Sequence, residues 1–166
     1  MRSSDLAQLF DYSYWATRQV LASAAQVPVE QFTAAPTFTY RNLRGTLVHT
    51  LDVEWSWRIR LRGEHPDLWD TSLADRDYPA VQALADHWGR DEVEMRAWVD
   101  GLSDDDLERI TELGNQDRYP LWWYLQHILS HSAAQRRDAA LILTDFGHAP
   151  PELEFLFYAD WRRDNP

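Results

Sequence analysis

The chain has 166 residues, 45% of them hydrophobic and 13% aromatic, with nine Trp. That supports a single folded domain with a real core and excludes general disorder. A net charge of −11, from 27 acids against 16 bases, argues against a nucleic-acid or anionic-membrane partner, and the lack of Cys removes disulfides, thiolate ligands and a thiol nucleophile.

No apolar run approaches the roughly 18 residues of a transmembrane span. The opening MRSSDLAQLFDYSYW lacks the apolar core of a signal peptide, so a cytoplasmic protein is expected.

In chain order, Ser3 or Ser4 can cap a first helix running to about Gln26. Its apolar face is Leu6, Leu9, Phe10, Tyr14, Val20, Leu21 and Ala24, and Pro28 ends it. Val29 to Tyr40 reads as a crossover loop with room for one helical turn. Asn42 caps a second helix that runs to about Arg62 and stops at Gly63. Its face is Leu43, Leu47, Val48, Leu51, Trp55 and Ile59. Thr46, Asp52 and Val53 share the side of His49, and Gly45 would leave room beside that ring. Arg58, Arg60 and Arg62 form a small basic patch, read as solvated.

Gly63 to Pro79 is polar, acidic and rich in turn residues, hence a long loop. A third helix spans about Ala80 to Asp100. Val81, Leu84, Ala85, Trp88, Val93, Met95, Trp98 and Val99 form its buried side. Ser103 followed by DDDLERI predicts a short helical turn, and Thr111 to Tyr119 a loop or brief strand pair. The fourth helix runs from Pro120 to Gly147, with proline at its first turn and glycine just past its end. The tail from His148 is expected to pack back across the bundle through Phe155, Leu156, Phe157 and Tyr158. The sum is an all-α four-helix bundle, one domain over residues 1–166. Its long crossover loops separate helix one from two and two from three.

The sequence has no Gly-rich phosphate loop, no GxSxG elbow and no CxxC. HILSH has the HxxxH spacing of a zinc protease, but Ile128 stands where the general-base Glu is required. What remains is histidine. His127 and His131 lie four apart on one face of helix four, and His49 on helix two could meet them across the bundle. Three imidazoles with an open fourth position describe a catalytic-type metal site. Chance histidines on a core rim are the plainer reading. Asp52 and Asp138 could orient a ligand ring or simply be solvated. Trp55, Trp57, Trp122 and Trp123 could line an apolar pocket or pack a core and a dimer face.

Three stretches carry a family resemblance: LVHTLDVEWSWRIRLRG, HILSHSAAQRRDAALIL and GHAPPELEFLFY. In these the chain resembles the DinB/YfiT-like superfamily of small bacterial proteins. The resemblance implies a four-helix bundle, often a homodimer, with a divalent metal held by three histidines. Some such relatives resemble transferases or isomerases that use low-molecular-weight thiols, and many have no assigned reaction. For this chain it implies a metal-dependent thiol transferase or hydrolase acting on a small molecule, with zinc or nickel as the ion.

The family's helix-four pattern resembles HxxxHxxxHRGQ, with its second and third histidines as ligands. Here the first falls on His127 and the second on His131. The third falls on Gln135, followed by Arg136, Arg137 and Asp138. His49 matches the helix-two ligand. Three outcomes stay open: Gln135 binds through its amide oxygen, His127 completes the set, or the site has decayed. In the last case the protein is a non-catalytic helical homodimer acting through protein interaction.

Overall fold

A computed structural model describes residues 1–36, 38–114 and 117–165. The helices are α1 (Ser3–Ala24), α2 (Val29–Phe32), α3 (Leu43–Leu61), α4 (Val81–Asp100), α5 (Asp104–Glu108), α6 (Leu121–Asp145) and α7 (Phe155–Asp164). Strands β1 (Ile110–Glu112) and β2 (Arg118–Pro120) form a small antiparallel hairpin, with Thr111 opposite Tyr119.

The four long helices make the expected all-α bundle. Helix α6 packs against α3 and α1, while α4 packs against α1 and α3. So α1 and α3 face each other across the diagonal, as do α4 and α6. The diagonal crossings are therefore the first connection and the third, which carries α5 and the hairpin. The middle connection, residues 62–80, joins neighbouring helices, so crossing does not explain its length. It instead runs back along α3: the Asp52 carboxylate accepts a hydrogen bond from the Leu73 amide at 2.8 Å. Trp69 Nε1 donates to the Glu64 carbonyl at 2.7 Å.

Helix ends follow local chemistry. Asn42 Oδ1 accepts from the Gly45 amide at 2.8 Å and starts α3 as expected. Neither serine caps α1. The Ser3 amide donates to Asp104 Oδ1 at 2.7 Å, so an acid from α5 serves that end. Helix α6 ends where Gly147 adopts φ +81° and the His148 amide reaches back to the Leu143 carbonyl at 2.8 Å.

Leu6, Phe10, Tyr14, Leu47, Leu51, Leu84, Trp88, Met95, Leu125, Ile128 and Leu143 are buried in one core. Expected and observed core positions differ where hydrophobicity and helical phase disagree. The inward stripe of α3 runs Leu47, Leu51, Glu54, Arg58, so two charged residues are buried while Trp55 is half-exposed. Arg58 is not a solvated patch residue: its guanidinium meets Asp91 of α4 at 2.6 and 2.8 Å. Val93 is 64% exposed, because the inner face of α4 passes through Trp88, Asp91 and Met95. In the tail, Tyr158 is buried against Tyr12 and Trp15 of α1, and Tyr12 donates to the Leu153 carbonyl at 2.7 Å. Leu156 and Phe157 point outward, 74% and 51% exposed.

Candidate metal centre

His49 and His131 sit on the neighbouring helices α3 and α6, and their rings meet. The two Nε2 atoms are 3.2 Å apart, with ring planes at 79°. Two imidazole nitrogens on one tetrahedral zinc ion would lie about 3.3 Å apart, for bonds of about 2.05 Å. The same distance suits an N–H···N hydrogen bond. Burial, reinforced by His49, His127 and Arg41, pushes His131 down to about 4. Burial and Arg41 also lower His49, against an opposing pull from Asp52. At neutral pH both rings are therefore uncharged, the state a metal ligand requires.

The other predicted residues stand differently. His127 lies edge-on to Trp57, with centroids 5.5 Å apart, and its centroid is 6.3 Å from that of His131. Gln135 is half-buried one turn beyond His131. Among the described residues, no group of three or more His, Cys, Asp or Glu is arranged to hold a metal ion. His131 Nδ1 is buried without a hydrogen-bond partner, where a metal-bound histidine usually has a carboxylate or carbonyl behind it. Asp52 braces the 62–80 loop rather than a ring, and Asp138 is half-buried on α6. Of the tryptophans, Trp57 packs on Tyr124 and His127, whereas Trp123 is 48% exposed and stacks on Tyr119.

Beside His49 opens a cleft of about 440 Å³, lined by Tyr40, Arg41, Asp52, Leu73 and Asp75. Gly45 serves this wall. A Cβ there would come within 3.2 Å of Asp75 Oδ2, so glycine lets the loop close on α3. A larger groove, about 590 Å³, lies between α6 and Pro150–Glu154 and contains none of the three histidines.

Beneath the pair lies a polar layer that the sequence reading missed. Glu54 is 3% exposed and accepts from Ser132 Oγ at 2.5 Å and Trp88 Nε1 at 2.8 Å. Burial raises it to about 7, against the opposing pull of Ser132, Trp88 and Arg136. Arg136, also buried, donates to Ser13 of α1 at 2.8 Å. Ser132 follows His131 directly, so the Glu54 bond fixes how that turn of α6 faces α3. The available signal was phase: Glu54 stands seven residues after Leu47, on the same stripe.

A bundle of four long helices with paired imidazoles between two of them defines the class: a helical-bundle protein with a candidate metal centre. The chain matches the DinB family over residues 1–165 and belongs to it. No curated protein matches it. Among the described residues, no helix is long and apolar enough to cross a membrane.

Proposed function

We propose that this DinB-family protein is a cytoplasmic, homodimeric binder of a divalent metal, zinc or nickel, held by His49 and His131 with His127 or Gln135 as third ligand. The carrying observation is the pair of Nε2 atoms 3.2 Å apart on rings kept neutral beside an open cleft. A bound ion would supply Lewis acidity, lowering the pKa of a water or thiol. Any thiol must come from outside, since the chain has no Cys. The chain's own part is to present uncharged imidazoles, hold α6 in place through Ser132 and Glu54, and admit a small molecule. The activity is then a thiol transfer or hydrolysis on that molecule. Elemental analysis of protein purified without an affinity tag tests this. Near-stoichiometric metal is expected, lost in His49→Ala; equal metal content in the variant rejects the reading.

The second reading is a non-catalytic homodimer with a degenerate site, acting through protein interaction. Gln135 in place of a third histidine and the unbraced His131 Nδ1 favour it. It requires that a chelator leave the melting temperature unchanged, because a ligand bound only to the folded state adds stability.

A further inference from the structure

The His49 cleft contains a cation. Arg41 immediately precedes the α3 cap and is half-buried, with its guanidinium 5.0 Å from the centroid of the Tyr40 ring. Among the described residues it forms no ion pair. Among the described residues it is the one permanent cation lining the cleft. Two acids line the same space, and among the described residues neither forms an ion pair with it. Asp52 is held by the Leu73 amide at 2.8 Å, and Asp75 faces Gly45 in the first turn of α3.

This arrangement sorts ligands by charge. An anionic group is repelled where Asp52 of α3 and Asp75 of the 62–80 loop lie, and attracted at Arg41. The planar guanidinium fork matches two carboxylate oxygens. Arg41 and His49 line the same cleft. A molecule held at Arg41 would therefore have its other end beside His49, whose Nε2 meets that of His131.

We infer that Arg41 is the carboxylate-docking residue of this cleft, and that the substrate is a small organic carboxylate whose reacting end lies at His49 and His131. The inference deepens the metal reading, on which its first measurement rests. Cobalt-loaded protein is titrated with 4-mercaptobutyrate and with the neutral 4-mercaptobutanol, reading the thiolate-to-metal absorption band. Wild type should bind the carboxylate about tenfold more tightly, about 1.4 kcal/mol. Arg41→Gln should bind both alike, and Arg41→Lys should keep part of the preference.

No preference in wild type, or one that survives in Arg41→Gln, overturns the inference. Absence of the band with both thiols in wild type counts against the metal reading instead. The docking residue is then tested on metal-free protein, by NMR line broadening of butyrate. Broadening by wild type but not by Arg41→Gln supports it, and equal behaviour of the two proteins overturns it.

Discussion

Replacing Glu54 with Gln should remove a pH dependence of stability from the middle of the bundle. The carboxyl is fully enclosed, and its pKa rises from an ordinary 4.5 to about 7 because burial disfavours the charge. Between those values the folded protein binds this proton and the unfolded chain does not. Stability from this group is therefore complete below pH 4.5 and is lost as pH rises through 7. At about 1.4 kcal/mol per pH unit, the loss is about 3 kcal/mol.

The amide is a fair isostere: its oxygen can accept from Trp88 while its NH2 donates to Ser132. His131 hides this ramp in the wild type. Its pKa is lowered by burial and by His49, so its contribution runs the other way: present above the unfolded pKa and lost as pH falls toward 4. The assay is urea unfolding by Trp fluorescence from pH 4.5 to 8, on metal-free wild type and Glu54→Gln. The difference in stability, wild type minus variant, should fall by about 3 kcal/mol across the range. Parallel curves would refute a protonated buried Glu54.

The Arg58–Asp91 pair should be costly to break and cheap to replace. Asp91→Ala leaves a buried guanidinium without its main partner and should lose about 3–5 kcal/mol, whereas Arg58→Met with Asp91→Leu should recover most of it in the same unfolding assay. Equal losses in both would show that the charge pair is not the source. Tyr158→Ala should detach α7 by emptying its contacts with Tyr12 and Trp15. Limited proteolysis would then cleave after Gly147 while the bundle keeps its helical circular dichroism; an unchanged cleavage pattern would mean Leu153 and Phe155 suffice to hold the tail.

Helix existence was legible because each long helix carries an apolar stripe at helical spacing together with a local stop or start, such as Asn42 before α3 or Gly147 after α6. These are properties of neighbouring residues. His49 and His131 were candidates for the same kind of reason, since the residue type and the HxxxH spacing are local. Burial of charge was legible only as helical phase, which puts Glu54 on the stripe of Leu47 and Leu51 but names no partner for it. Arg58 and Glu54 look like surface residues until α4 and α6 bring Asp91, Trp88 and Ser132 against them, and only partners distant in sequence can offset the cost of removing them from water.

The sequence by itself determined an acidic, all-α chain of four long helices with no thiol of its own, because composition, period and capping are written residue by residue. Only tertiary structure decided the order of the helices around the bundle and the choice of Asp104 as the α1 cap. It also decided which two histidines touch, 3.2 Å apart. Those outcomes depend on residues such as Ser3 and Asp104, 101 apart, or Ser13 and Arg136, 123 apart, meeting in space, and no local pattern encodes such a meeting.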